Sequence, residues 1–337
     1  MKKKWYPFLA ILMAFSLLVT ACGGGGGTDS SPAPQQDGGE EQAIDTSNIT
    51  IGAATIGGFW YVLSGALGDE MKKQMGTNVT VIEGGSIANI QGIVNGQFQI
   101  GFTNGQNLIE ALQGFGGFSE PMSGFSAVAS LYPNVMHLVV REDSDIHSVE
   151  DLKGKRVSPG IKGYGGEIAF QQILDAHGMS YDDLAKVEYV GTDDGVNLLR
   201  DGQLDALALL LVTPVPAVQE LQASLGVRLL PLSDEAIAKL REINEGYYEF
   251  TITKDTYGMN EDVKTVAAET IALVDDDLPE DFVYNFTKIL VENRDRWEAM
   301  NAGMKDFDAE YAVSRIPGGL PFHPGAEKYY KEIGVLE

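Results

Sequence analysis

The fold is decided by residues 49–75, ITIGAATIGGFWYVLSGALGDEMKKQM. Residues 49–55 are apolar or small and predict a buried strand, Gly57 and Gly58 predict a turn, and residues 59–75 place apolar side chains at helical spacing. A short apolar run at residues 79–82 predicts a second strand. Strands and helices that alternate in this way are typical of a mainly parallel sheet flanked by helices.

The same alternation continues along the chain and then begins again. Further strands are predicted at residues 98–103, 135–141, 155–157, 187–190, 204–211 and 263–274. Further helices are predicted at residues 87–94, 106–112, 167–177, 193–199, 215–224, 279–293, 307–312 and 324–333. A capped short helix is predicted at residues 148–152.

Two rounds of alternation predict an α/β protein with two lobes, each a mainly parallel sheet flanked by helices. We assign residues 49–137 and 272–337 to lobe one and residues 138–271 to lobe two. The chain is expected to cross between the lobes near residues 132–141 and 255–272, and this hinge would let a cleft close around a ligand.

The first residues predict export. Three lysines precede an apolar run that ends at Ala21, so residues 1–21 are predicted to be a signal peptide. Cys22 is the only cysteine of the chain, and residues 18–22, LVTAC, resemble a bacterial lipobox. We therefore expect lipid to be attached to Cys22 and residues 22–48, rich in Gly, Ser and Pro, to form a flexible tether. The protein would then lie outside the cytoplasm, anchored to the cell membrane.

Composition and motifs exclude several classes of function. The formal net charge of −24 does not favour binding to nucleic acid. The 4 histidines are scattered, and the sequence has no Gly-x-Ser-x-Gly, His-Glu-x-x-His or Cys-x-x-Cys motif. Residues 163–166, GYGG, lack the third glycine of a dinucleotide fingerprint, and the acidic clusters lack the spacing of a calcium loop. We predict no enzymatic activity, no cofactor and no metal.

Glycine and small polar residues follow the predicted strands, at the sheet edge where open α/β sheets bind ligands. Backbone N–H groups at the starts of the next helices favour an anionic group. The candidates in lobe one are Thr55, Gly57, Gly58, Phe59, Trp60, Tyr61, Gly85, Ser86, Asn89, Asn104, Gln106 and Asn107. The candidates in lobe two are Lys162, Tyr164, Gly165, Gly166, Glu167 and Thr213.

We expect lobe one to bind the ligand first and closure to bring Lys162 and Tyr164 over it. Two interpretations of Lys162 stay open, since its ammonium group could pair with a ligand carboxylate or be solvated in the loop. Trp60 likewise could stack on the ligand or fill the interior of lobe one.

Six stretches, in this order, resemble the TAXI family of receptors for tripartite ATP-independent periplasmic (TRAP) transporters. The resemblance covers nearly all of the chain after the tether. The stretches are residues 51–61 (IGAATIGGFWY), 84–89 (GGSIAN), 131–141 (LYPNVMHLVVR), 151–157 (DLKGKRV), 199–206 (LRDGQLDA) and 323–326 (HPGA).

The resemblance implies a two-lobed, type II periplasmic-binding-protein fold and a ligand such as glutamate, glutamine or 2-oxoglutarate. It also implies delivery of this ligand to a membrane permease that is driven by an ion gradient. The chain departs from the family pattern at residues 103–107, TNGQN, where members usually have a Gln-Ser-Asp-like stretch, and in the loop that holds Lys162 and Tyr164. Both departures lie in segments expected to touch the ligand.

Three alternative functions are consistent with the same residues. A binding protein of an ABC transporter and a receptor that feeds a sensor kinase would share the fold. A lipid-anchored enzyme would need an acid, base or nucleophile in the cleft.

Overall fold

The first turn and helix form as predicted in the computed structural model, which describes residues 44–337, whereas the first strand ends at Gly52 and not at residue 55. Strand β1 spans Asn48–Gly52 and helix α1 spans Phe59–Met75. Gly76 ends the helix with a left-handed φ of 75°, and its N–H donates to the carbonyl of Lys72. The helix buries one face, which includes Leu63, Leu67 and Met71.

The other strands and helices alternate in the predicted manner. The remaining strands are β2 (Asn78–Ile82), β3 (Ile100–Asn104), β4 (Phe125–Arg141), β5 (Arg156–Ser158), β6 (Lys186–Val187), β7 (Ala206–Val212), β8 (Val227–Leu229), β9 (Tyr247–Ile252) and β10 (Val263–Asp275). The remaining helices are α2 (Ser86–Val94), α3 (Gly105–Gln113), α4 (Gly165–Ala176), α5 (Thr192–Arg200), α6 (Pro216–Leu225), α7 (Asp234–Ile243), α8 (Glu280–Glu292), α9 (Arg294–Met300), α10 (Ala309–Ser314) and α11 (Pro324–Glu332).

The strands form a single mixed sheet in the order β2-β1-β3-β10-β4-β7-β5-β6, with β9 paired to β10 and β8 paired to β4. The outer strands are parallel, because β1 pairs in parallel with β2 and β3, and β5 pairs in parallel with β6 and β7. The long central strands β4 and β10 are antiparallel to their neighbours. These two strands connect the part of the sheet in lobe one to the part in lobe two.

The pairing partners of β10 change where the chain crosses between the lobes. Residues 270–274 of β10 pair with β3, whereas residues 263–268 pair with β9. A register shift against β4 lies between Glu269 and Ile271. The predicted lobe boundaries at residues 137/138 and 271/272 fall inside β4 and β10, and they stay a prediction.

Each lobe has a hydrophobic core on both faces of its part of the sheet. In lobe one, α1 and α8–α11 cover one core, and α2 and α3 cover the other. In lobe two, α4 and α7 cover one core, and α5 and α6 cover the other. Residues 44–337 fall within one compact unit, so all four cores belong to it.

The structure adds elements that the sequence did not predict. Strand β4 begins ten residues before the predicted start, at Phe125 instead of residue 135. Strands β8 and β9 and helices α7 and α9 occupy segments for which no element was expected. The predicted strand at residues 187–190 shrinks to Lys186–Val187, and the helix predicted at residues 307–312 starts at Ala309.

No helix within residues 44–337 is both long enough and apolar enough to cross a membrane. The predicted signal peptide, the lipidation site at Cys22 and nearly all of the predicted tether lie outside the described residues.

Candidate ligand-binding cleft

The turn between β1 and α1 is the first of the predicted binding segments. The N–H of Gly58 donates to the carbonyl of Thr55 at 2.9 Å, and the N–H of Ile56 donates to Glu83 Oε1 at 2.8 Å. Gly57 and the Ile56 side chain are exposed, and no side chain caps the start of α1. Backbone N–H groups at the start of this helix are therefore available to a ligand.

The aromatic residues at the start of α1 contribute mainly to the interior of lobe one. Trp60 is buried, with its ring centroid 6.0 Å from that of Phe102. Phe59 is half-buried and contacts Tyr132 of β4 with a centroid distance of 5.5 Å, and Tyr61 is half-buried beside the same core. Of the two interpretations of Trp60, its position in the core favours packing.

Asn89 holds the second turn in place from the inside. Its Nδ2 donates to the carbonyls of Ala53 at 2.8 Å and Phe102 at 2.7 Å, and its Oδ1 accepts from the N–H of Gly85 at 3.3 Å. The side chain has no exposed surface. It therefore ties the ends of two strands to the turn, and its polar atoms are engaged within lobe one.

The end of β3 forms a buried polar cluster with the crossing strands. Asn134 of β4 donates from Nδ2 to Asn104 Oδ1 at 2.6 Å and to Thr270 Oγ1 at 3.1 Å. Ser86 Oγ accepts from the N–H of Asn104 at 3.2 Å, which connects this cluster to the second turn. Gln106 is fully buried, and its Oε1 has no hydrogen-bond partner among the described residues.

The loop before α4 is held by Glu167, which is 2% exposed. The Glu167 carboxylate accepts from the N–H of Gly163 at 3.1 Å, from Gln171 Nε2 at 2.7 Å and from the Tyr181 hydroxyl at 2.7 Å. Lys162 is exposed, and its Nζ lies 5.4 Å from the ring centroid of Tyr189, which follows β6. The ammonium group of Lys162 is thus accessible to a ligand as well as to solvent.

The turns of the two lobes contact each other across the cleft. Gly85 has a φ of 145°, and a Cβ atom built on it would lie 3.1 Å from the Tyr164 ring. A Cβ atom built on Gly165 would lie 2.1 Å from Asn107 Oδ1 and 2.9 Å from Ser86 Oγ. At residue 165 only glycine permits the close approach, and at residue 85 the positive φ favours glycine, so the lobes are closed against each other at this point.

Other predicted residues lie at the edges of this contact. Gly166 is half-buried, and a Cβ atom built there would make an ordinary contact with Leu210. Thr213 directly follows β7, and its Oγ1 lies 3.5 Å from Nε2 of His137 in β4. Burial lowers the pKa of His137 to about 4, and its Nε2 also contacts the Tyr257 hydroxyl at 2.8 Å. Among the described residues, Thr213 makes no hydrogen bond to another predicted binding residue.

Several residues of the cleft were not predicted. Glu83 bonds the first turn and lies near Tyr164, whose pKa is raised by burial and by the Glu83 carboxylate. Tyr189 and Asn134 were missed as well. The signal available for Glu83 was its position directly after the strand predicted at residues 79–82, which is the rule that selected the other candidates. Tyr189 gave no such signal, because it lay inside the strand predicted at residues 187–190, which ends at Val187 in the structure.

A cavity of about 290 Å³ lies at the seam between the lobes, beside the crossing of β10. The buried carboxylate of Glu269 accepts there from the hydroxyls of Tyr248, at 2.6 Å, and of Tyr311. Burial raises the pKa of Glu269. The residues that line the cavity include none of the predicted binding residues; they are Glu245, Gly246, Tyr248, Glu269, Arg315, Ile316 and Pro317.

Within residues 44–337, no group of three or more His, Cys, Asp or Glu side chains is arranged to hold a metal ion. The polar groups at the cleft are backbone N–H groups, amides, hydroxyls, a lysine and a glutamate. They can orient and bind a small polar molecule through hydrogen bonds and charge.

A model of the NMT1-like family matches residues 51–334 of the chain. Among solved structures, PhnD1 from Prochlorococcus marinus in complex with methylphosphonate is 13% identical with a TM-score of 0.52, and the alignment covers 87% of this chain and 100% of that chain. The alkanesulfonate-binding protein SsuA from Xanthomonas axonopodis pv. citri bound to MOPS is 18% identical with a TM-score of 0.47, covering 86% and 85%. The similarity to PhnD1 confirms the predicted two-lobed, type II periplasmic-binding-protein fold.

Proposed function

The chain belongs to the NMT1-like family, and on this basis we propose that it is an extracytoplasmic solute-binding protein that captures a small molecule between its lobes. One observation carries the proposal, namely the contact of Gly85 and Ser86 with Tyr164 and Gly165. Both turns precede helices, so closure brings two sets of helix N-termini to the edges of one cleft. The protein binds and releases its ligand without changing it.

The helix N-termini and Lys162 favour a ligand with an anionic group. We propose an organic acid or amino acid, of the glutamate, glutamine or 2-oxoglutarate class that the sequence resemblance implies. Lys162 pairs with a carboxylate of this ligand, while backbone N–H groups of the first turn bind it from lobe one. No cofactor takes part.

We also propose that the ligand is delivered to a TRAP-type permease, and that Cys22 anchors the protein to the membrane by lipid. The resemblance of the six sequence stretches supports the TRAP assignment, but the fold is equally suited to an ABC transporter. The neighbouring gene separates the two, since a multi-span permease without an ATPase supports TRAP and an adjacent ATPase gene assigns the protein to an ABC system.

A thermal-shift experiment on residues 44–337 with glutamate, glutamine and 2-oxoglutarate tests the ligand class. A ligand at 100 times its Kd adds about 2.7 kcal/mol to the free energy of unfolding. For a unit of this size, this amounts to an increase in Tm of roughly 4 °C. The absence of any shift across the three compounds would contradict the proposed ligand class.

Two glycine-to-alanine variants test closure, one in the contact between the lobes and one as its control. Gly165→Ala places a Cβ atom 2.1 Å from Asn107 Oδ1, so it prevents full closure and abolishes the ligand-induced shift. Gly65→Ala also adds a methyl group to a helix, but no atom lies within 4 Å of the added Cβ. The Gly65 variant should therefore keep the shift of the wild type.

A further inference from the structure

A buried carboxylate lies in the contact between the lobes, behind the candidate binding residue Asn107. Glu110 of α3 has no exposed surface. Its Oε1 accepts from Gln172 Nε2 of α4 at 2.6 Å, and its Oε2 accepts from Asn107 Nδ2 at 2.9 Å. The Gln172 bond crosses from lobe two to lobe one, whereas the Asn107 bond stays within lobe one.

Gln172 is itself held in place from within lobe two. The hydroxyl of Tyr247, at the start of β9, donates to Gln172 Oε1 at 2.6 Å. Just before β9, Asn244 Nδ2 donates to the carbonyl of Gln106 at 2.9 Å, which forms a second bond between the lobes. Helix α3 is therefore bonded to α4 and to the segment that precedes β9.

The surroundings of Glu110 depend on closure. In the closed arrangement its only partner from lobe two is Gln172, and the other donors, Asn107 and the N–H of Gly117 at 3.4 Å, come from lobe one. When the lobes separate, the Gln172 bond breaks and water reaches the carboxylate. Closure thus removes the Glu110 carboxylate from water, which is unfavourable, and forms one hydrogen bond between it and Gln172, which is favourable.

We propose that Glu110 and Gln172 form a latch between the lobes that sets the balance between the open and closed states of the binding protein. This inference rests on the proposed function, because the fraction of closed molecules sets the apparent affinity only if the protein binds a ligand between its lobes. The carboxylate opposes closure through its loss of hydration, and Gln172 offsets part of this effect. Burial raises the pKa of Glu110, which agrees with a carboxylate that loses water in the closed state.

Substitutions at the two positions shift the balance in opposite directions. Glu110→Gln removes the charge. A flip of the Gln172 amide preserves its hydrogen bonds to residue 110 and to Tyr247, so the closed state becomes more populated. Gln172→Ala leaves the carboxylate without its partner from lobe two, and Gln172→Glu places a second carboxylate against it. We expect the largest open population in Gln172→Glu, a smaller one in Gln172→Ala, a still smaller one in the wild type and the smallest in Glu110→Gln.

The open population is measured without ligand, by the distance between two spin labels. Residues 44–337 contain no cysteine, since Cys22 is the only one, so labels can be placed at Lys73→Cys in α1 and Asp193→Cys in α5. Both positions are exposed, and they belong to different lobes. Each variant is first shown to be folded by its circular dichroism spectrum, and the isosteric changes Glu110→Gln and Gln172→Glu carry the test should Gln172→Ala not fold.

We expect the ratio of open to closed molecules to change by roughly tenfold between Glu110→Gln and Gln172→Ala, the size of one hydrogen bond to a charged group. Identical distance distributions in all four proteins would overturn the latch, and so would a more open Glu110→Gln variant. Because no ligand is present, this result stands apart from the thermal-shift screen. If the open population changes in the expected order but none of the three compounds raises Tm, only the proposed ligand class is contradicted.

Discussion

The turn before α2 in lobe one and the turn before α4 in lobe two are built on the same plan. In each, the N–H of a glycine donates to a side chain four residues later, from Gly85 to Asn89 at 3.3 Å and from Gly163 to Glu167 at 3.1 Å. The neutral Asn89 also bonds backbone carbonyls of two strand ends, whereas the charged Glu167 relies on donors from other side chains.

The difference shows how each lobe presents its turn to the cleft. The first turn is fixed to the sheet, because Asn89 ties it to the residues after β1 and near the end of β3. The second turn is fixed to side chains of α4 and of the segment after it, Gln171 and Tyr181. Asn89 and Glu167 were both predicted to bind ligand, but their polar atoms are engaged in holding these two turns. A ligand in the cleft is therefore bound by other groups, among them backbone N–H groups and Lys162.

The largest effect is expected for Asn89→Ala in the first turn. The substitution leaves two buried carbonyls and one N–H without partners, and we expect a loss of about 4 kcal/mol in the free energy of unfolding. Urea unfolding of residues 44–337 measures the loss. A value below about 1 kcal/mol would mean that water or a local shift replaces these bonds, and that the first turn is not fixed as described.

A smaller effect is expected for Glu167→Gln in the second turn. The amide keeps an oxygen for Gln171 and Tyr181 but turns its NH₂ toward the N–H of Gly163, so we expect a loss of about 2 kcal/mol. Tyr181→Phe removes a single donor and should lower the free energy of unfolding by about 1 kcal/mol. If Glu167→Gln proved as damaging as Asn89→Ala, the distinction between the turns would disappear.

The smallest effect on stability is expected for Lys162→Met. Lys162 is exposed and its ammonium group lies 5.4 Å from the centroid of the Tyr189 ring, so the free energy of unfolding should change by less than about 0.5 kcal/mol. The ligand-induced thermal shift should nevertheless fall, because the ammonium group is lost from the cleft. Lys305→Met, at an exposed lysine of lobe one, serves as the control and should leave the shift unchanged.

The sequence predicted a helix well where the spacing of its apolar residues and the residues that bound it indicate the same ends. The predicted helix at residues 59–75 has the bounds of α1, since glycines lie on both sides of it and its apolar positions follow one face. Strand β4 was predicted ten residues too short, because Pro133 and Asn134 argue against a central strand. They are tolerated at the crossing, where Pro133 lies opposite Glu269 beside a register shift.

The contacts of the cleft were less predictable than its turns. Gly85, Ser86, Tyr164 and Gly165 were selected by their positions after strands, and the structure brings them together. The roles of Asn89 and Glu167 could not be predicted, since they depend on which backbone groups and side chains lie nearby after folding. Strand β8 has only 3 residues and forms by pairing with the end of β4, which local sequence does not reveal.

The central claim is that these two turns meet when the cleft closes, and a disulfide between Ser86→Cys and Gly165→Cys tests it most directly. The Cβ built on Gly165 lies 2.9 Å from Ser86 Oγ, which suits a disulfide, and residues 44–337 contain no natural cysteine. The same Cβ would lie 2.1 Å from Asn107 Oδ1, so both cysteine pairs are made in an Asn107→Ala background, which removes this clash. We predict that the folded protein forms this cross-link under mild oxidation, and faster with bound ligand. Ser86→Cys paired with Asp175→Cys, roughly 15 Å further along α4, should not cross-link. Failure of the first pair to cross-link, or equal rates for both pairs, would contradict the account.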